Sequence, residues 1–220
     1  SISDNFSSMG ANSFTIQNRG MHIRVGNKGK RPKRFKPIDY HQAIRFADEY
    51  HFPATVSIST VASRISTIKF NDKKTNPNVL VMGGNENYLV TTGYTVDRGR
   101  NFSPQEIQFG ANVVVIGKEI MDKLFPDQDP IDKIISVGVN KYRVIGTLKE
   151  KGSSMGFGGD NVCILPLFNV KQNFNRPDMS FAINVSVKDI GMMEPAVSEA
   201  TGLFRIIRGV PIGEDSSFEI

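Results

Sequence analysis

The sequence has few of the residues that build disulfides and metal sites. Its 220 residues include one cysteine and three histidines. A single cysteine, Cys163, excludes an internal disulfide. Because it lies in the apolar run Val162–Leu165, we expect it to be a buried small hydrophobic residue. The histidines, which are His22, His41 and His51, show no metal-ligand spacing, so a zinc site is not expected.

Long hydrophobic runs are also missing. No stretch approaches the roughly 18 apolar residues that a membrane-spanning helix needs, and the polar first ten residues lack the apolar core of a signal peptide. We therefore expect the piece of chain given by this sequence to be soluble by itself. Its length allows one large domain or two small ones.

Motifs that bind phosphates or dinucleotides are absent. The stretch from Gly110 to Lys118 has a superficial likeness to a phosphate-binding loop, but six residues separate its glycines, and Glu119 stands where that loop needs Ser or Thr. The apolar residues between the glycines predict a strand instead. The glycine-rich stretch from Lys151 to Asp160 lacks dinucleotide spacing and predicts a flexible loop. We expect no ATPase activity and no tight nucleotide site.

A catalytic constellation is not evident either. The Gly-x-Ser-x-Gly motif of serine hydrolases does not occur. Asp127 and Asp129 lie close together in a proline-flanked turn, where we interpret them as solvated carboxylates. The sequence therefore predicts no catalytic, cofactor-binding or metal-binding residue and no cofactor.

Positive charge is concentrated in residues 28–36, which we name the basic segment. The chain has a formal net charge of +5. Two prolines interrupt the segment, so we predict an exposed loop between the first strand and the first helix. The segment contains one interleaved aromatic residue and no recognisable nucleic-acid-binding module surrounds it, which argues against a nucleic acid as its partner. The cations of the segment are Lys28, Lys30, Arg31, Lys33, Arg34 and Lys36.

Three interpretations of the basic segment stay open: a solvated loop, a contact with an acidic partner, and a contact with an anionic membrane surface. Replacing Lys30, Arg31, Lys33 and Arg34 with Ser is expected to leave the melting temperature nearly unchanged. The same change should weaken any such association in a salt-dependent way.

Both ends of the chain have a β-α-β pattern. A strand is predicted from Ser13 to Val25, then a helix beginning at the capping residue Asp39 with Gln42 reaching back, then a strand after Pro53. The end of the chain predicts a strand over Ser180–Val187, a helix over Glu194–Ile207 and a last strand at Phe218.

The middle of the chain is richer in short strands and turns. A helix is predicted to begin at the capping residue Ser103, and another should cover Lys118–Phe125. The predicted strands are Thr67–Phe70, Val79–Met82, Tyr88–Val96, Asn112–Ile116, Ile134–Val137 and Lys141–Leu148. An α+β fold follows, in which one subdomain is built from both chain ends and a second, mainly β subdomain is inserted into it.

Four motifs between Tyr88 and Leu167 resemble, in order and spacing, the periplasmic core domain of the MacB/FtsX-type ABC permeases. Gly99–Phe102 is similar to the family's Gly-Arg-x-Phe segment, and Val113–Gly117 with Leu124-Phe125 is similar to its Val-x-Val-Ile-Gly and Leu-Phe unit. Asp129–Lys133 resembles the family's Asp-Pro-Ile-Gly-Lys turn, and Tyr142–Leu148 resembles its Phe-x-Val-Ile-Gly-Val-Leu strand. The stretch Leu165-Pro166-Leu167 is similar to the family's exit strand. One departure is Asp132, which stands where the family usually has glycine; Asp tolerates left-handed geometry better than most residues.

The resemblance implies a porter-like α/β subdomain from residues 1–75 and 178–220 and an inserted, mainly β subdomain from residues 76–177. It implies a non-catalytic domain on the extracytoplasmic side of the bacterial inner membrane, anchored by transmembrane helices outside this sequence. ATP would be hydrolysed by a separate cytoplasmic domain or subunit, and two permeases would form a dimer. The domain would couple ATP-driven motion to the handling of a substrate or partner.

Two other classes stay open on the residues alone: a free-standing extracytoplasmic binding or interaction protein, and an enzyme. A full reading frame with hydrophobic stretches on both sides of this sequence would favour the permease domain. A solitary soluble frame would favour the alternatives.

Overall fold

A computed structural model describes residues 12–18, 36–152, 159–214 and 217–220 of the chain. The cations of the basic segment other than Lys36, and most of the predicted glycine-rich loop, lie outside these residues. Within the described residues, no helix has the length and apolar character needed to cross a membrane.

The described residues form twelve strands, six α-helices and one 3-10 turn. In chain order these are β1 (Ser13–Asn18), α1 (Tyr40–Glu49), β2 (Ala54–Ser66), β3 (Ile68–Phe70), β4 (Lys73–Lys74), β5 (Val79–Gly84), α2 (Tyr88–Thr92), β6 (Val96–Gly99), α3 (Pro104–Phe109), β7 (Val113–Ile116), α4 (Lys118–Leu124), β8 (Ile134–Val137), β9 (Asn140–Leu148), β10 (Val162–Pro166), α5 (Leu167–Asn173), β11 (Ala182–Val187), the 3-10 turn (Ile190–Met192), α6 (Met193–Arg208) and β12 (Phe218–Glu219).

All the strands belong to one mixed sheet. Its order is β12-β1-β11-β2-β5-β10-β7-β9-β8-β3-β4, and β6 pairs with β9 beside this path. The pairs β5–β10 and β7–β9 are parallel, and the other pairs are antiparallel. Helices combined with a mixed sheet confirm the predicted α+β class.

The two chain ends meet in this sheet. Strand β1 lies between β11 and β12, and helices α1 and α6 pack together beside these strands. The side chain of Asp39 accepts a hydrogen bond from the Gln42 amide, and the Gln42 side chain accepts one from the Asp39 amide, which confirms the predicted start of α1.

The boundary between the two predicted subdomains stays a prediction, because the sheet is continuous across it. Strands β3 and β4 come from residues 1–75, and β3 pairs with β8 of the segment 76–177. One apolar cluster also contains residues of both parts, among them Phe46 of α1 and Leu165 of β10.

The middle strands are buried on both faces, which explains their uninterrupted apolar runs. On β7, Val114 and Ile116 face the cluster that contains α1, α4, α5 and α6. Val113 and Val115 face a second cluster formed with α2 and the segment 94–102. On β11 only one face is apolar, as the predicted alternation requires: Ile183, Val185 and Val187 are buried.

Two predicted strands in the middle are wrong in part. Residues 88–92, predicted as strand, form the helix α2, in which the Thr92 hydroxyl donates to the carbonyl of Tyr88 at 2.6 Å. Gly93 ends this helix in the left-handed conformation with φ 75°. The β-branched residues of this short segment favour a strand locally, but its packing on β2 decides for a helix.

The family's exit strand, expected over Leu165–Leu167, ends at Pro166, and residues 167–173 form the unpredicted helix α5. The first predicted strand is confirmed only from Ser13 to Asn18, because residues 19–25 lie outside the described part of the chain. The remaining predicted elements are present, with ends shifted by a few residues.

Candidate functional site

Side chains suited to binding a metal do not gather in the described residues. No cluster of three or more His, Cys, Asp or Glu side chains able to hold a metal occurs among them. Cys163 is fully buried, as predicted, and burial raises the pKa of its thiol. His41 lies on the surface with its ring edge-to-face against Tyr40. His22 lies outside the described residues.

The stretch that superficially resembled a phosphate-binding loop is the strand β7, as its apolar residues predicted. Gly117 caps the following helix, and a Cβ there would lie 2.3 Å from the carbonyl oxygen of Asp160. The predicted turn carboxylates also lie on the surface, where Asp129 accepts a hydrogen bond from Arg98 at 2.7 Å.

Arg208 fixes the two points where the described chain borders the basic segment. Its guanidinium donates to the side-chain oxygen of Asn18 at 3.4 Å and to the backbone carbonyl of Lys36 at 2.6 Å. Further bonds reach the carbonyl of Pro37 and the hydroxyl of Ser217, both at 3.0 Å. Lys36 itself is exposed, as predicted. The end of β1 and the approach to α1 are therefore held side by side.

The strand directions place these two points at one end of the sheet. Strand β1 runs from Ser13 to Asn18, and β12 pairs antiparallel to it with Phe218 opposite Asn18. The chain therefore enters β1 at the end marked by Ser13, and β12, which lies opposite the last residues of β1, runs toward that same end. Asn18 and Lys36 lie at the opposite end.

Both sides of the predicted glycine-rich loop are tied to the fold. The Asp160 carboxylate accepts hydrogen bonds from the amides of Lys151 and Gly152 at 2.7 and 3.0 Å. The Lys151 ammonium lies 4.0 Å from the ring centre of Tyr94 and donates to the carbonyl of Thr92. Burial lowers the pKa of Lys151, and burial raises the pKa of Tyr94 to about 12. These contacts fix the backbone on both sides of the glycine-rich stretch.

A shallow, open groove runs beside the second half of β2. It has a volume of about 440 Å³ and is lined by residues 61–65 and by Arg176, Asp178 and Ser180. Arg176 donates to the backbone carbonyls of Val61 and Ala62 at 2.9 and 3.1 Å. The sequence did not predict this groove, because its two walls are more than 100 positions apart in the chain.

A comparison with protein families finds one matching family model. Residues 1–203 match the model of the MacB-like periplasmic core domain. The match covers the first predicted segment of the porter-like subdomain, the whole predicted insert, and the second segment as far as residue 203.

Curated relatives are similar over much of the chain. The protein is 27% identical over 211 residues to a macrolide export ATP-binding/permease protein MacB of Neisseria meningitidis, covering 94% of this chain and 31% of that protein. It is 30% identical over 122 residues to the protein of that name from Chlorobaculum tepidum, covering 56% of this chain and 19% of that protein. The chain spans about a third or less of the length of these relatives.

Solved structures share the fold. The periplasmic region of MacB from Actinobacillus actinomycetemcomitans matches with a TM-score of 0.72 at 18% identity, covering 93% of this chain and 88% of that one. The extracellular domain of the noncanonical ABC-type transporter YknZ from Gram-positive bacteria matches with a TM-score of 0.70 at 20% identity, covering 94% of this chain and 98% of that one.

Proposed function

The chain belongs to the family of MacB-like periplasmic core domains, and from this premise we propose that it couples ATP-driven motion of membrane helices to the handling of a substrate or partner outside the membrane. In this role it is the non-catalytic extracytoplasmic domain of an ABC permease. ATP is hydrolysed in a separate cytoplasmic domain or subunit, in keeping with the ATP-binding/permease names of the relatives.

The direction of the chain ends carries this proposal. A domain inserted between two membrane helices receives the chain from the membrane and returns it there. The antiparallel pair β1–β12 has this geometry, because the chain enters at Ser13 and leaves beyond Phe218 toward the same end of the sheet. We infer that this end faces the membrane and that Asn18 and Lys36 lie on the membrane-distal side.

This orientation bears on the partner of the basic segment. Arg208 holds Asn18, which precedes the segment, beside Lys36, its last cation. In the inferred orientation both lie away from the headgroups of the membrane in which the permease sits. We therefore favour an acidic extracytoplasmic partner over an anionic membrane surface for Lys28, Lys30, Arg31, Lys33, Arg34 and Lys36. Salt-sensitive binding of this chain to anionic vesicles, lost in the four-serine variant, would favour the membrane instead.

The coupling role is tested in the full-length permease with its ATP-binding partner in nanodiscs. Val139, at the tip of the β8–β9 turn, is 98% exposed, so Val139→Cys accepts a spin label while buried Cys163 does not compete. We expect two labelled permeases to give a pair distance that shifts between the nucleotide-free state and ATP turnover. A hydrolysis-dead ATPase should abolish the turnover state. Identical distance distributions in all states would contradict coupling, and no pair distance at all would contradict the dimer.

A further inference from the structure

Strand β2 connects two parts of the sheet. One part consists of β12, β1 and β11, and the other begins with β5. Its first half, from Ala54 to Ser59, pairs with β11, and its second half, from Ser59 to Ser66, pairs with β5. The two ladders overlap only at Ser59, which is opposite Ala182 on one edge and Gly84 on the other. Strands β12, β1 and β11 are thus connected to β5 and the strands beyond it through this one strand.

The second half of β2 is irregular directly after this changeover. Its register against β5 shifts between Val61 and Ser63 and again between Ser63 and Ser66. Each shift places one extra residue on β2, and such bulges bend a strand and interrupt its ladder of hydrogen bonds. The strand that joins the two parts therefore has its bend at the joint.

The returning chain crosses the same joint. The segment from Phe174 to Phe181 leads from α5 back to β11. Its Arg176 guanidinium donates to the carbonyls of Val61 and Ala62 at the first bulge. Four residues later, the carbonyl of Ser180 accepts a hydrogen bond from the Thr60 hydroxyl at 2.9 Å. Both connections between the two parts are therefore tied together at the bulge.

The ties at the joint differ in their access to water. Thr60 is buried, whereas the Arg176 side chain is 41% exposed and its ionic partner Asp178, at 3.4 Å, is 84% exposed. The guanidinium lies in the wall of the open groove, so water can replace its protein acceptors at small cost. The bonds of Arg176 can open while the buried contacts of Thr60 stay in place.

We propose that Arg176 is a releasable clasp that fixes the angle between the two parts of the sheet, and that its release lets the bulged strand bend and widen the groove. The use of this bending in transmitting motion rests on the proposed coupling function. The clasp itself is a property of this chain and is testable without the membrane part.

The first experiment measures amide hydrogen exchange in this chain and in Arg176→Ala. Loss of two charge-assisted hydrogen bonds should speed exchange roughly tenfold or more in residues 60–66 and 174–181, and leave α4 and α6 unchanged. Arg64→Ala is the matched control, because Arg64 is an exposed cation of the same groove; it should exchange like the parent. Arg176→Lys should restore part of the protection, since an ammonium keeps the charge but not the forked geometry.

Unchanged exchange at residues 60–66 in Arg176→Ala would overturn the clasp. Faster exchange spread over the whole chain would overturn it too, because Arg176 would then support global stability and not one joint. Equal effects of Arg64→Ala and Arg176→Ala would attribute the change to lost charge in the groove, which also contradicts the proposal.

The second experiment places a staple across the groove of the full-length permease. Ser63→Cys and Asp178→Cys, which line opposite walls, are joined by a short bis-maleimide. We expect the staple to reduce the ATP-driven distance change at Val139→Cys and Arg176→Ala to broaden it. An unchanged shift in the stapled protein overturns the clasp while leaving coupling intact. If Arg176→Ala speeds exchange only at the joint, but the unstapled protein shows no ATP-driven distance change, the clasp is supported. In that case the proposed coupling function is overturned and the clasp is not.

Discussion

Glu106 is the carboxylate whose ionisation the fold favours most clearly among the described residues. It accepts two hydrogen bonds from the Arg100 guanidinium, at 2.6 and 3.1 Å, and a third from the amide of Ser103 at 2.9 Å. The hydrogen bond from Arg100 is the main reason that the pKa of Glu106 falls to about 2. The ion pair between Arg100 and Glu106 thus reinforces the helix cap predicted at Ser103 and ties the segment before α3 to the first turn of this helix.

Glu106→Gln should therefore remove an acid-sensitive part of the stability. The folded-state pKa lies below the ordinary value of 4.5, so the stabilisation is present above about pH 4.5 and is lost as the pH falls toward 2. We expect the parent to lose on the order of 1 kcal/mol more than Glu106→Gln over this window, after allowance for solvent at the half-exposed Arg100. Urea unfolding at pH 6, 4.5 and 3 measures the difference.

Glu119→Gln on α4 is a suitable control, because the exposed Glu119 side chain lies in the first turn of another helix. Parallel pH profiles for the parent and Glu106→Gln, with a deviation only in Glu119→Gln, would refute the assignment to Glu106.

Single residues differ in how far the sequence reveals them. Asp132 stands where the resembled family has glycine, and its φ of 67° lies in the left-handed region, which Asp tolerates. The local sequence was therefore sufficient to indicate the left-handed conformation at this position. Arg176 and Arg208 could not be predicted, because their carbonyl acceptors on Ala62 and Lys36 are 114 and 172 positions away along the chain.

At the scale of elements, glycines in the motifs that resemble the family allow close approaches of the backbone. Gly146 lies inside β9, opposite Gly99 of β6, and a Cβ on it would lie 2.4 Å from the carbonyl oxygen of Arg100. That distance is far inside van der Waals contact, and the obstructing atom is backbone. Gly202, in the middle of α6, has open space where a Cβ would be.

Gly146→Ala and Gly202→Ala should therefore change stability in opposite directions. Gly146→Ala forces β9 away from β6 and should cost about 3 kcal/mol. Gly202→Ala relieves the helix of a glycine and should add about 0.5–1 kcal/mol. Denaturant unfolding of both variants measures the two effects. A neutral Gly146→Ala would mean that the close approach of β6 and β9 is not needed for the fold.

Element type was predictable where periodicity or a cap was strong, as for α1, α3 and the alternating β11. It was not predictable for α2, whose five residues are too few to show a period. Helix α5 was missed for the same reason, since its buried Leu167 and Val170 complete a single turn. Pairing partners such as β2 with both β11 and β5 depend on contacts that no local window contains.

At the scale of the whole molecule, the order of four motifs was enough to predict the family, and the match over residues 1–203 confirms it. The same motifs did not reveal that the chain ends and the middle share one continuous sheet. Motifs report glycines, turns and apolar alternation, which are local. The joint at β2 arises from long-range pairing with β11 and β5, which no motif contains.

The central claim is that this domain lies outside the cytoplasmic membrane with its chain ends toward it. The most direct test is labelling of the full-length permease carrying Val139→Cys in intact spheroplasts with a membrane-impermeant maleimide. The parent for this test keeps Cys163 and has any cysteine outside these 220 residues replaced; because Cys163 is buried, it should remain unlabelled until it is denatured. The account predicts complete labelling of Val139→Cys without lysis. Labelling that requires lysis would place the domain in the cytoplasm and contradict the account.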